Sequence, residues 1–158
     1  MPRSYKSTAR YQRPDPRFNS MVATKFINAI MQGGKKSVAM GVFYDACEMA
    51  SARLDDVAPE DVFLKALENV RPAVEVRSKR VGGSNYQVPR EVSAKRAQSL
   101  AIRWIIENAR KKKGMPMAKR LSGEFVDACN ATGSSVQWKE NVHRMAEANK
   151  AFSHFASF

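Results

Sequence analysis

Apolar residues recur every three or four positions along most of the chain, which is the spacing of one face of an α-helix. Val22, Phe26 and Ile30 follow this spacing in a first predicted helix, which ends at the glycine pair 33–34. Methionines on or near such apolar faces are predicted to pack in the core: Met21, Met31, Met40, Met49 and Met145. The same spacing predicts five more helices, over about residues 36–54, from Pro59 to Pro72, and over about residues 93–112, 116–130 and 136–152.

An alternating pattern of β-branched and charged residues interrupts the helices over residues 73–81. The pair Gly82-Gly83 then gives a turn signal, and residues 85–88 are predicted to be the returning strand of a hairpin. These residues are too polar to be buried on both faces. We therefore expect an arm, at about residues 73–89, that projects between the third and fourth helices.

Residues 1–18 show no periodicity and few large aliphatic side chains, so we expect an extended tail that orders only when bound. The remaining residues, 19–158, are predicted to form a single, mainly α domain of about six helices that carries the hairpin arm. Tyr5, Tyr11 and Phe18 alternate with basic residues in the tail. Two interpretations remain open: these rings stack on nucleic acid bases, or they dock on the protein's own core.

The charged residues are segregated along the chain. The formal net charge is +12, from 27 Lys and Arg against 15 Asp and Glu. Residues 1–36 carry +7 and residues 71–120 carry +11, whereas residues 37–70 carry −5 and residues 121–158 carry −1. An ordinary solvated surface mixes the two signs. The two basic segments are therefore predicted to share one polyanionic partner, and nucleic acid is favoured over a membrane surface.

The fourth predicted helix carries the most regular basic pattern. Arg96, Arg103 and Arg110 recur every seven residues, so they share one face of the helix. Phosphate contacts from such residues release counterions and supply most of the affinity for nucleic acid. The residues predicted to make these contacts are Arg3, Lys6, Arg10, Arg13, Arg17, Lys25, Lys35, Lys36, Arg96, Arg103, Arg110, Lys111, Lys112, Lys113, Lys119 and Arg120.

The sequence lacks a convincing catalytic or metal-binding pattern. His143 and His154 are eleven residues apart, whereas two ligands on one helix face are four apart, and each is predicted to be a surface or RNA-facing histidine. The glycine–lysine turn at residues 33–37 lacks the first glycine of a nucleotide-binding loop. Cys47 and Cys129 lie at apolar helical positions and are predicted to be buried free thiols. We expect no enzymatic activity, no cofactor and no metal.

Two other protein classes are compatible with the charge alone. A helix-turn-helix regulator of DNA would need a compact helix pair joined by a tight turn, and the basic fourth helix is not preceded by one. An enzyme could use the acids at residues 55–61, but these surround a helix start, where acids are favoured electrostatically. A membrane partner is not expected, because no run approaches the ~18 apolar residues of a membrane span.

Four segments of the chain carry a recognisable pattern. They are Phe26-Ile27 with Gly34-Lys35-Lys36, Val42-Phe43 and Ala46; residues 66–89, from ALENVRP through the hairpin RVGGSNYQVP; Arg103-Trp104-Ile105; and residues 143–152, HRMAEANKAF. In this order, and over nearly the whole chain, they resemble the small-subunit ribosomal protein seven family in its bacterial form. The ending at residues 155–158 departs from the family pattern.

This resemblance implies a structural role in the small ribosomal subunit of the cytoplasm. Family members bind the 3′ major domain of small-subunit rRNA early, nucleate assembly of the head, and touch neighbouring ribosomal proteins as a single copy. They lie near the exit site, where the hairpin approaches mRNA and tRNA. Tyr86 is expected either to contact RNA there or to pack across the hairpin. The arm residues that the resemblance places near mRNA and tRNA are Arg77, Lys79, Arg80, Gly82, Gly83 and Tyr86.

Overall fold

The computed structural model describes residues 11–55 and 57–157, the last two by their backbone alone. It confirms a mainly helical fold with one antiparallel hairpin between the third and fourth helices. The elements are α1 (Met21–Ile30), α2 (Lys36–Ser51), α3 (Pro59–Val70), β1 (Val74–Val81), β2 (Ser84–Glu91), α4 (Ala94–Lys111), α5 (Met117–Cys129), α6 (Gly133–Ala148) and a C-terminal 3₁₀ helix (Lys150–Ser157).

Four phenylalanines form the centre of the core and join α1, α2, α3 and α5. The rings of Phe26, Phe43, Phe63 and Phe125 are fully buried, with centroids 5.1–6.5 Å apart. Several of these pairs meet edge to face, the geometry that the ring quadrupole favours. Trp104 and Ile105 of α4 are buried on the same core.

Three methionines are exceptions to the predicted core. Met31 and Met40 pack against it, but Met21, Met49 and Met145 are exposed. Met21 is the first residue of α1, and Met49 and Met145 lie outside the buried residues of α2 and α6, because helical spacing alone does not fix how wide the buried part of a helix is. The two cysteines are free and buried as predicted, and burial raises the pKa of each thiol.

The bounds of helices α2 and α6 differ most from those predicted, and α6 ends at Ala148, before the predicted residue 152. Helix α2 ends at Ser51 because the Ser51 hydroxyl donates to the carbonyl of Val57 and closes a turn there. Helix α6 begins at Gly133, three residues before its predicted start. The glycine adopts a φ of 86°, and a Cβ atom there would lie 2.6 Å from Cβ of Asp127, so the close approach of α5 and α6 requires a glycine.

The pairing of the two hairpin strands agrees with a two-residue turn at Gly82-Gly83. Val81 pairs with Ser84, and Gly82 and Gly83 both have positive φ, at 56° and 91°, which is the two-residue type I′ turn. Strand β2 runs beyond the predicted residues, to Glu91. The arm contacts α6 and the C-terminal 3₁₀ helix, so it joins the body through the last quarter of the chain.

The described part of the predicted tail is anchored to the body. The buried carboxylate of Asp15 accepts hydrogen bonds from the Phe18 backbone N–H and from the Tyr44 hydroxyl, at 3.0 and 2.7 Å. Burial, reinforced by this bond, raises the pKa of Tyr44 to about 12. The Phe18 ring packs 5.7 Å from Phe43, so Phe18 docks on the core, whereas Tyr11 is exposed. Tyr5 lies outside the described residues, and a domain boundary at residue 18 stays a prediction.

Candidate nucleic-acid interface

A cleft between α1 and α4 brings together three exposed cations from distant parts of the sequence. Lys25 of α1 faces Arg103 and Arg110 of α4 across a floor that includes Ile102 and Ile106. The Lys25 ammonium donates to the side-chain oxygen of Gln98 at 3.4 Å. The exposed carboxylate of Glu107 lines the same cleft, so a polyanion lying there would meet three cations, on both walls, against one acid.

A second cleft opens on the other side of Arg110. It lies between the α1–α2 turn and the start of α5, and its rim carries Lys35, Arg110 and Arg120. The guanidinium of Arg110 donates to the carbonyl of Ile30 at 3.2 Å, which fixes this side chain between the two clefts. We call the two clefts together the basic groove; its cations are Lys25, Lys35, Arg103, Arg110 and Arg120.

The turn before α2 presents further cations next to the groove. Gly33 and Gly34 have φ values of 58° and 73°, which lets the chain reverse directly after α1. Lys35 and Lys36 follow at the start of α2, and both are exposed. Sequence reasoning identified this turn but not its position against Arg110, because that contact joins residues 80 positions apart.

Arg96 differs from the other two arginines of its stripe. Its Nε donates to Glu75 at 3.2 Å, and the other oxygen of the same carboxylate accepts from Arg77 at 2.7 Å. Glu75 is largely buried between them. The stripe therefore divides: Arg103 and Arg110 belong to the basic groove, and Arg96 ties α4 to the base of the arm.

The three consecutive lysines at the end of α4 point in different directions. The Lys112 ammonium lies 2.7 Å from Glu124 of α5, a residue with only 1% exposure, and 3.6 Å from Asp127. Lys112 is thus neutralised within the fold, whereas Lys113 is exposed. Lys111 extends over the ring of Trp138, 4.9 Å from its centroid.

Other predicted contact residues also have partners inside the protein. Arg120 donates to the carbonyls of Met115 and Lys112, and so caps the end of α4 with the guanidinium that lines the groove. Arg17 pairs with Glu48 and lies over the Tyr44 ring, and the hydrogen bond to Glu48 raises the pKa of Arg17. Arg13 and Lys119 are both exposed. Three further residues that are predicted to contact RNA lie outside the described part of the chain: Arg3, Lys6 and Arg10.

The arm is partly covered by the C-terminal 3₁₀ helix. The Tyr86 ring contacts Phe152 and Phe155, each with a centroid distance of 5.2 Å. Lys79 donates to the Phe155 carbonyl at 3.0 Å. Tyr86 therefore packs, but against the end of the chain rather than across the hairpin. Arg80 and the tip glycines Gly82 and Gly83 are exposed.

His143 has a structural role that sequence reasoning missed. Its Nε2 accepts a hydrogen bond from the Ala73 backbone N–H at 3.1 Å, which holds the start of the arm against α6. Burial, with a smaller contribution from Lys139, lowers the pKa of His143. The ring is half-buried, which fits the predicted surface position, and its contact with RNA stays a prediction. His154 is exposed.

Two other kinds of feature are absent among the described residues: a cluster of metal-ligating side chains and a membrane-spanning helix. Within residues 11–55 and 57–157, the side chains of His, Cys, Asp and Glu form no group of three able to hold a metal ion. The same part of the chain contains no helix with the length and apolarity that crossing a membrane requires.

The fold and this surface define a class: a small helical domain that presents a groove of exposed cations and a hairpin arm. The chain belongs to the ribosomal protein S7p/S5e family, whose model matches residues 2–150. The resemblance seen in the sequence is thereby confirmed, and the family is one of structural, non-enzymatic proteins, in agreement with our prediction that the chain is not an enzyme.

Individual relatives are similar along nearly their whole length. The chain is 53% identical over 156 residues to the small ribosomal subunit protein uS7 of Gluconobacter oxydans, covering 98% of this chain and 99% of the relative. It is 49% identical over 158 residues to the uS7 protein of Roseiflexus castenholzii, covering all of both chains. The uS7 protein of Desulfotalea psychrophila is 51% identical over 142 residues, or 90% of each chain.

Proposed function

We propose that this protein is a structural constituent of the small ribosomal subunit in the cytoplasm and binds its rRNA through the basic groove. The proposal rests mainly on the exposure of three groove cations and on their lack of ion-pair partners within the described part of the chain. Lys25, Arg103 and Arg110 are exposed, and among the described residues none of them forms an ion pair with a carboxylate. Phosphate oxygens are the partners that such a set of cations fits best.

The finer parts of the proposal concern which RNA is bound. The relatives are small-subunit proteins by name, and the resemblance points to the 3′ major domain, early in assembly of the head. The groove fits a structured RNA, because its cations lie on three helices and a turn whose spacing is fixed by packing. Affinity would come mainly from phosphate contacts, and specificity from the shape of the RNA junction.

The arm and the tail extend the proposed interface. The arm carries Arg77 and Arg80 and the exposed glycine turn towards its tip, which suits a position beside mRNA and exit-site tRNA. The basic residues 1–10 precede the segment that Asp15 anchors, and we expect them to bind RNA as well. Neighbouring ribosomal proteins would be the other partners of this single copy.

Competition binding tests the choice of RNA. A fragment containing the 3′ major domain and a duplex DNA of equal length should be offered to the full chain at several salt concentrations. We expect the rRNA fragment to displace the DNA at all of them, and a hydroxyl-radical footprint to map to one junction. Preferential binding of the duplex DNA would overturn the proposal. Arg53→Gln, an exposed arginine at the end of α2 and outside the groove, is a matched control for groove variants.

A further inference from the structure

Trp138 is exposed in a protein that buries its other tryptophan. Of the two, Trp104 has 7% of its surface exposed and packs in the core, whereas Trp138, in the second turn of α6, has 44% exposed. A single exposed apolar residue is ordinary on a protein surface. The surroundings of Trp138 are what make it unusual.

The indole is held next to a cation that is itself held in place. The Lys111 ammonium lies 4.9 Å from the ring centroid and donates to Asn108 Oδ1 at 3.2 Å. Asn108 is buried, and its amide donates to the Ser135 hydroxyl at 3.2 Å. The aromatic ring and the charge are therefore positioned relative to each other by the fold.

A chain of buried polar groups continues from this pair into the body. The Ser135 hydroxyl donates to Glu124 at 2.7 Å, and Glu124 in turn pairs with Lys112. These contacts link the end of α4, the middle of α5 and the start of α6. Ser135 and Glu124 are each 1% exposed, so this part of the network is shielded from water and supports the positions of Trp138 and Lys111.

We propose that Trp138 and Lys111 form a binding site for one unpaired RNA base. The base would stack on the exposed part of the indole, and Lys111 would hold the adjacent phosphate. Stacking on an aromatic side chain beside a cation is how proteins bind unpaired bases without reading their identity. The proposal rests on the RNA-binding function proposed above and adds a particular contact to it.

The surrounding charge favours RNA over an apolar protein partner. Lys113, two residues beyond Lys111, is exposed, and Lys139 is directed away to the Asn69 carbonyl at 2.6 Å. Glu140 is the only acid among residues 134–142. Lys111 also directly follows Arg110 of the basic groove, so an RNA strand leaving the groove around the end of α4 would reach the indole.

Two variants separate stacking from charge. In filter binding to the 3′ major domain fragment, Trp138→Leu should weaken affinity by about 5- to 150-fold without changing the salt dependence, since it removes the ring and keeps an apolar side chain. Lys111→Gln should instead reduce the log–log salt slope by up to ~0.7, the value for a single-strand phosphate contact. Met145→Leu, an exposed apolar position elsewhere on α6, is the matched control and should bind as the parent does.

Fluorescence reports on the indole directly. In a Trp104→Phe background, Trp138 is the only tryptophan, and RNA should quench its emission with the same midpoint as filter binding. Should this background fail to fold, the Trp138→Leu binding measurement alone decides. Unchanged affinity of Trp138→Leu, or quenching by a neighbouring ribosomal protein but not by RNA, would overturn the site and leave RNA binding intact. Failure of the parent protein to bind the fragment would overturn the proposed function itself.

Discussion

The cations of the basic groove and those beside it look alike in the sequence but differ in what the fold has done with them. Arg103 and Arg110 line a cleft with the exposed Glu107 and form no ion pair among the described residues, whereas Lys112 and Arg96, on the same helix or directly after it, each reach a largely buried acid. A charge count treats all four equally. The comparison teaches that a nearby buried carboxylate, rather than position in a basic run, separates a structural cation from one available to a phosphate.

The largest expected effect concerns a partnered cation. Lys112→Met removes the ammonium and leaves the Glu124 carboxylate buried without a counter-charge. We expect the free energy of unfolding to fall by about 2 kcal/mol or more, which is less than the ~3–5 kcal/mol of a fully buried pair because the Lys112 side chain is 33% exposed. Urea denaturation followed by circular dichroism measures the change.

Two further variants sharpen that result. Lys113→Met, at the exposed neighbouring lysine, should change the free energy of unfolding by less than ~0.5 kcal/mol. Lys112→Met combined with Glu124→Leu should recover part of the lost stability, because no buried charge is then left alone. If Lys112→Met unfolds at the same urea concentration as the parent, Lys112 is not a structural cation and the comparison fails.

The groove side of the comparison is tested by RNA binding. Replacing Arg103 and Arg110 together with glutamine should lower the slope of log K against log salt by up to ~1.8, from two lost phosphate contacts. Arg53→Gln should leave the slope unchanged, because Arg53 is exposed outside the groove. Filter binding across a salt series measures both. Equal slopes for the double variant and the parent would mean that the groove faces solvent.

The sequence allowed the helices and the arm to be predicted because their signals are local. Apolar residues three or four apart define α1 to α5, and two adjacent glycines define the hairpin turn. Contacts between distant segments were not predictable in this way. Glu124 lies twelve residues after Lys112, and only the packing of α5 on α4 brings the two together. The same limit hid the contact of His143 with Ala73 and the packing of Phe155 on Tyr86.

Arg96 gives an intermediate case, since its pair with Glu75 is partly exposed. Arg96→Gln should reduce the free energy of unfolding by about 0.5 kcal/mol, in the range measured for exposed ion pairs. A double-mutant cycle with Glu75→Gln isolates the coupling. Arg80→Gln, near the tip of the arm, is the control without a predicted stability effect. A salt slope for Arg96→Gln that changes as much as that of Arg103→Gln would place Arg96 among the groove cations.

The smallest expected effect is a pH dependence at the base of the arm. The pKa of His143 in the folded protein lies below its usual 6.5, so the unfolded chain takes up this proton first as the pH falls. The stability from this group is therefore complete above pH 6.5 and is lost as the pH falls through the lower, folded-state pKa. Protonated Nε2 can no longer accept the Ala73 N–H, so the same titration loosens the arm.

Comparing the parent with His143→Gln separates the pH dependence of stability that comes from His143 from the pH dependence that comes from the carboxylates. The difference in free energy of unfolding between the two should shrink as the pH is lowered from 7 towards 5, because only the parent loses stability through residue 143. His154→Gln, which alters an exposed histidine away from the base of the arm, is the control for replacing a surface histidine. A difference between parent and His143→Gln that stays constant with pH would show that the bond to Ala73 does not depend on the charge of the ring, and that the arm is held to α6 by packing alone.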